Sequence, residues 1–202
     1  MEITSVIKSS LYFLALINPI SKVFLLSTMD PPYSQKQFFV IGLRSTLVAL
    51  GILAVLSVAG HFILSSVFHI QIYSLKVAGG FILFIVGLTA VRKGKFFEET
   101  DMQRILDISV VPLAAPLIAG PGTITAAISF ASLNGYSETL LCISLALLVN
   151  FLVMIAAKQI GDILERINIT GPLVRITGLI VTAVAVQMVL TGIQEWIREI
   201  GS

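Results

Sequence analysis

The chain has 202 residues, of which 56% are hydrophobic and only 12% charged, with a mean hydropathy of +0.99 and a formal net charge of +2. A soluble domain carries about twice that share of charge, so the composition excludes a water-soluble fold and leaves no room for a separate soluble domain. A nucleic-acid binder is excluded as well, because there is neither a basic stripe nor a stacking platform for single strands.

The expectation is an all-α membrane protein forming a single transmembrane domain over residues 1–202. A helix that spans hydrocarbon needs about 20 mostly apolar residues. Six segments qualify, at about 6–29, 38–68, 74–92, 109–133, 138–160 and 171–196. The first begins like a signal peptide, with Lys8 before an apolar stretch. Asn18-Pro19 and Lys22 follow where a small-residue cleavage site would stand, so it reads as the first span. Its apolar run is interrupted at Leu16-Ile17-Asn18-Pro19. The second is long enough to tilt or to project at one end. Short connections are marked by Asp30-Pro31-Pro32, Asn134-Gly135 and Ile169-Thr170-Gly171-Pro172. The longer link at 93–108 carries charges of both signs and reads as a solvated connector between halves of about 1–95 and 105–202.

The fourth span is the informative one. Leu113–Ser129 reads LAAPLIAGPGTITAAIS and holds Pro116, Gly120, Pro121 and Gly122 near its middle. Proline removes a backbone donor and clashes with the preceding turn, so the helix should kink or break there. A break at membrane depth leaves amides and carbonyls that lipid cannot satisfy, which places it against protein or a cavity. Laid against the first span, Pro121 falls 102 residues after Pro19. The third and sixth spans repeat similarly, Lys76-Val77-Ala78-Gly79 against Arg175-Ile176-Thr177-Gly178 at a spacing of 99. Interrupted hydrophobic segments at matching places in two halves point to a transporter binding site.

Basic residues set the orientation. Lys36, Arg44, Arg92, Lys93, Lys95, Arg104, Lys158, Arg166 and Arg175 flank one face of the membrane, against Lys8, Lys76 and Arg198 on the other. This predicts a cytoplasmic 93–108 loop and both termini in the periplasm. Three spans per half is an odd number, so a repeated half must insert upside down.

Every Asp and Glu lies in a loop or near a span end, so an acidic proton relay is not expected. His61 and His69 show no metal-ligand spacing, and no paired carboxylate, HExxH or phosphate-binding loop occurs. The sequence therefore predicts no enzyme, no catalytic residue, no bound metal and no cofactor, with coupling to Na⁺ or protons left open. Cys142 reads as a small core residue. The polar groups at depth are neutral: Asn18, Ser21, Thr123, Thr125, Ser129, Asn150 and Gln187. Asn150 and Gln187 read as inter-helix hydrogen bonders, and the alanines around Gly120 as close packing. Lys22 reads as a snorkelling lysine, with a fixed positive charge in the substrate path as the alternative.

A broken helix offers free amides at one half and free carbonyls at the other, which suit a carboxylate and an ammonium. Two breaks face to face can hold a zwitterion without any charged side chain. Gly120, Gly122 and Thr123 amides are assigned to the carboxylate, and Asn18 with the carbonyls beside Pro19 to the ammonium. Ser21 and Pro121 complete the candidate site.

Ile17-Asn18-Pro19-Ile20, the run from Val111 to Gly122, Val77-Ala78-Gly79-Gly80 and Arg175-Ile176-Thr177-Gly178-Leu179 together resemble the MarC family of bacterial inner-membrane proteins, which includes small neutral amino acid transporters. The resemblance covers essentially the whole chain. It implies six transmembrane helices in two inverted three-helix repeats, a periplasmic C-terminus, and a site at breaks in helices 1 and 4. Where the family's Asn-Pro motif continues with a glycine and a second proline, this chain has Ser21 and Phe24, with Lys22 between them. The function expected is secondary transport or export of small neutral amino acids of the glycine, alanine and serine class by alternating access. The rivals are a non-transporting membrane scaffold and a channel for another small solute. The expected partners are the amino acid and the lipid bilayer, with homo-oligomers left open.

Overall fold

The structure is a computed structural model that describes residues 3–27, 34–94 and 118–201. The turn at Asp30-Pro31-Pro32, the connector beyond Gly94, and Pro116 with the opening of the expected fourth span lie outside the described residues. Among the described residues every regular element is helical and no strand occurs. They form α1 (Ile3–Ile17), α2 (Pro19–Ser27), α3 (Gln35–Phe62) with a π-turn at Ile63–Val67, α4 (Ile72–Lys93), α5 (Pro121–Asn134), α6 (Tyr136–Ile155), α7 (Ala157–Arg166) and α8 (Thr170–Ile200).

The ends follow from local chemistry. Ser34 caps α3 in a reciprocal box: the Gln37 N–H donates to Ser34 Oγ, and the Ser34 N–H donates to Gln37 Oε1 at 2.8 Å. Gly94 stops α4 in the left-handed region at φ 67°, after Arg92 and Lys93 in the last turn. Pro121 opens α5 at a first-turn position, where its missing N–H costs nothing. The segment expected to span 138–160 instead divides. It leaves helical geometry at Ala156, and the short α7 that follows packs against α2.

Among the described residues, five stretches are long and apolar enough to cross a membrane: Ile3–Val23, Gln35–Gly60, Ile72–Lys93, Tyr136–Ile155 and Thr170–Ile200. Their outer faces carry exposed Leu47, Val55, Phe81, Ile85, Leu152, Leu179 and Leu190. The interior is an apolar core that also takes in polar groups, with Asn18, Ser45, Ser57, Thr123, Thr125 and Asn150 all buried. Keeping such groups inside the bundle and away from lipid is the arrangement hydrocarbon solvent favours.

The 14-residue α5 is the hub, touching α1, α3, α4 and α6. Its small residues Gly122, Ala126, Ala127 and Ala131 are buried, and so are Thr123, Thr125 and Ser129. Phe130 on α5 stacks on Tyr12 and meets the fully buried Phe13, tying α5 to α1. The most extensive packing joins α4 to α8, which come together through glycines. A Cβ on Gly87 would meet the Thr182 hydroxyl, the Thr182 backbone nitrogen at 2.8 Å and the Gly178 carbonyl at 2.9 Å. A Cβ on Gly178 would lie 2.7 Å from that of Ala90.

Backbone this close cannot yield, so Gly87→Ala and Gly178→Ala should each cost about 1–3 kcal/mol. Gly51, with nothing near its missing Cβ, should accept alanine with stability unchanged or raised. Thermal unfolding in detergent measures both effects, and equal melting points for all three variants would contradict this packing.

Candidate functional site

Asn18 stands between α1 and α2 at φ 55°, a left-handed conformation that asparagine tolerates better than most residues. Its N–H donates to the Leu14 carbonyl at 2.9 Å, which closes the last turn of α1. Its side-chain Oδ1 accepts from the Ser21 N–H at 3.4 Å, capping the first turn of α2. Pro19 then starts α2 with its φ already near helical values. One residue thus ends one helix and begins the next.

A similar start lies 102 residues on. Gly120 is extended (φ −77°, ψ 171°), Pro121 begins α5, and the Ile124 N–H makes a helical bond to the Gly120 carbonyl at 2.9 Å. The amides of Gly122 and Thr123 precede that bond and have no acceptor within their own helix.

These two starts meet at one cavity of about 80 Å³. It is lined by Asn18 and Ser21 from the first, by Gly120, Pro121, Gly122 and Thr123 from the second, and by Lys22. Leu16 and Ile17 of α1, Ile82, Leu83 and Val86 of α4, and Val181 of α8 complete the wall. Of the seven sequence-predicted residues only Pro19 is not in the lining. The Leu83 side chain lies 3.1 Å from where a Gly122 Cβ would sit, so Leu83 forms the wall facing the α5 start. Sequence reasoning passed over Leu83, although Gly79, Leu83 and Gly87 recur every fourth residue on one helical face.

Lys22 departs from the snorkelling expected of it. The residue is 2% exposed, and its ammonium turns inward to donate to the Ile17 carbonyl and, at 3.4 Å, to the Asn18 carbonyl. Those oxygens end α1, where the helix dipole is negative and a cation is favoured. They are also the carbonyls assigned from sequence to a substrate ammonium, so the chain's own lysine holds that place. Ser21 Oγ adds a further bond to the Asn18 carbonyl at 2.7 Å.

The remaining polar residues fall elsewhere. Thr125, Ser129 and Gln187 line a second cavity, and the Gln187 amide reaches Thr191 on its own helix at 3.2 Å. Asn150 is fully buried, donates to Met154 Sδ one turn on, and leaves its Oδ1 without a partner among the described residues. Neither bond joins two helices, which corrects the expectation for this pair. Cys142 is a fully buried core residue.

Among known proteins, the chain matches the family described as MarC family integral membrane protein over residues 3–197. A UPF0056 membrane protein of Pyrococcus horikoshii is 33% identical over 189 residues, covering 93% of this chain and 92% of that one. Another from Aquifex aeolicus is 31% identical over 205 residues, covering 95% and 94%. The UPF0056 membrane protein YvbG of Bacillus subtilis is 29% identical over 191 residues, covering 89% and 90%. No solved structure matches the chain.

The two duties of Asn18 separate by substitution. Asn18→Ala puts a Cβ into a left-handed conformation with no cap, and should cost about 1–2 kcal/mol. Asn18→Gly keeps the conformation and should cost only a few tenths. Melting temperatures of the two variants in detergent check this, and a glycine variant no more stable than the alanine one would refute the assigned backbone role.

Proposed function

The chain belongs to the MarC family of integral membrane proteins, and from that premise we propose that it is a secondary transporter or exporter of small neutral amino acids of the glycine, alanine and serine class. The proposed fold is six transmembrane helices in two inverted three-helix repeats, the segment ending in α5 supplying the fourth helix. The proposed setting is the bacterial inner membrane with both termini periplasmic. The protein acts as a carrier and not as a catalyst.

One observation carries this reading: two proline-started helices, 102 residues apart in sequence, begin at one small cavity beside a buried ammonium. Helix N-termini concentrate positive potential and unpaired amides, so the solute carboxylate docks at Gly122 and Thr123. Lys22 adds a basic hydrogen-bond donor to the same wall. The solute amine then turns to Asn18 Oδ1, whose bond from the Ser21 N–H is long at 3.4 Å, and to the Ser21 hydroxyl oxygen. The close approach of Leu83 to Gly122 favours a solute with little or no side chain. Alternating access follows if the helices on either side of the two starts rock about this point.

A second reading has its own observation. Because Lys22 already occupies the carbonyls of Ile17 and Asn18, a small carboxylate without an amine suits the cavity too. Competition separates the two: acetate displaces labelled alanine as well as glycine does only under the second reading.

Proteoliposomes holding the full chain should take up labelled glycine or alanine saturably and show counterflow, which a channel does not. Gly122→Ala pushes a methyl against Leu83 and should lower flux at least about tenfold while the protein still folds. Gly51→Ala should leave flux unchanged. Absence of saturable uptake under Na⁺, proton and exchange conditions, or equal flux in both alanine variants, would tell against transport at this cavity and favour a scaffold.

A further inference from the structure

A second cavity, of about 250 Å³, lies between α1, α4, α5 and α8. Its lining includes a charge pair: Lys76 Nζ of α4 lies 2.5 Å from Glu195 Oε1 of α8, and the Lys76 side chain is only 9% exposed. Glu195 is 35% exposed and so faces both the cavity and its mouth. Thr125 and Ser129 of α5 and Gln187 and Thr191 of α8 add neutral hydrogen-bonding groups. Tyr12 and Phe130, stacked on each other, supply an aromatic wall.

The two cavities share one seam. Along α4, Leu83 faces Gly122, and a turn away the missing Cβ of Gly79 faces Thr125. The next turn brings Lys76 to the cavity that Ser129 lines. Thr123 therefore belongs to the first cavity and Thr125 to the second, with only Ile124 between them in sequence.

We propose that the Lys76–Glu195 cavity is a second solute site, taking a zwitterionic amino acid head to tail into the ion pair: carboxylate to Lys76, ammonium to Glu195. Lys76 has three donors and Glu195 two oxygens, so each keeps capacity beyond their mutual bond. A net-neutral zwitterion inserted there keeps all four charges paired. A net anion leaves Glu195 facing like charge, and a net cation does the same to Lys76, so both are rejected. The pair is held in place because α4 and α8 are in backbone contact beside it: a Cβ on Gly192 would come within 2.8 Å of the Tyr73 carbonyl and 3.2 Å of Lys76 Cβ. The larger volume and aromatic wall admit side chains that the first cavity excludes. This site deepens the transport reading by giving the solute a position one helical step from the first cavity, but its binding stands apart from flux.

Equilibrium binding of labelled L-alanine and L-leucine to the purified full chain in detergent tests it, with melting curves to identify folded variants. Leucine should bind the wild type, be displaced by other zwitterions, and resist displacement by acetate or methylammonium. Lys76→Met and Glu195→Gln should each weaken it at least about tenfold. The reversed pair Lys76→Glu with Glu195→Lys should regain most of the binding. Gly122→Ala, at the other cavity, should leave leucine binding intact. Leucine bound through the pair in a chain that shows no flux would sink the transport reading and still support this site. Binding of neither amino acid to the wild type, or unchanged leucine affinity in both folded single variants, would overturn it.

Discussion

Main-chain amides and carbonyls left unpaired in hydrocarbon cost several kcal/mol each, and the architecture of this chain answers that constraint at Asn18 and Gly120. At Asn18 the answer is complete on one side. The asparagine closes α1 with its N–H and caps α2 with its amide oxygen, while Lys22 and Ser21 bring donors to the carbonyls that α1 leaves behind. At Gly120 the answer is partial, because the first amides of α5 lie at a cavity and no side chain among the described residues caps them. That asymmetry leaves the α5 start, and not the α2 start, with backbone donors turned toward the cavity.

The rest of the bundle serves to hold those two starts against each other. The short α5 is buried among its neighbours, and its small residues let α1, α3 and α4 approach closely. Tyr12, Phe13 and Phe130 fix it to α1, while glycine contacts join α4 to α8 as a rigid wall. Leu83 of that wall faces Gly122, so the packing that stabilises the fold also sets how much room the cavity has.

Charge is placed sparingly and in pairs with local purpose. Lys22 meets the negative end of α1, and Lys76 meets Glu195 across the α4–α8 contact. An isolated charge in such surroundings is costly, whereas one met by a helix end or a carboxylate is tolerated. The two lysines mark the two cavities, which lie end to end on one helical seam.

Sequence alone determined the membrane class, because a deficit of charge and runs of about 20 apolar residues have no other solvent. It also marked Asn18-Pro19 and Gly120-Pro121, since proline's lost donor and fixed φ act locally whatever surrounds them. Six of the seven residues named from that pattern do line one cavity. Tertiary structure alone decided what long-range contacts control. Lys22 could have reached outward or inward, and although the carbonyls it meets are only four and five residues back, the burial that turned it in comes from the helices packed around it. Thr125 and Ser129 went to a different cavity from Thr123 because a helix turns about 100° per residue and α4 packs along one side of it. Lys76 and Glu195 stand 119 residues apart, and nothing in the local spacing of either announces the other. Proline and apolar length act through the chain's own covalent neighbours, whereas a buried charge takes its meaning from whichever helix the fold brings beside it.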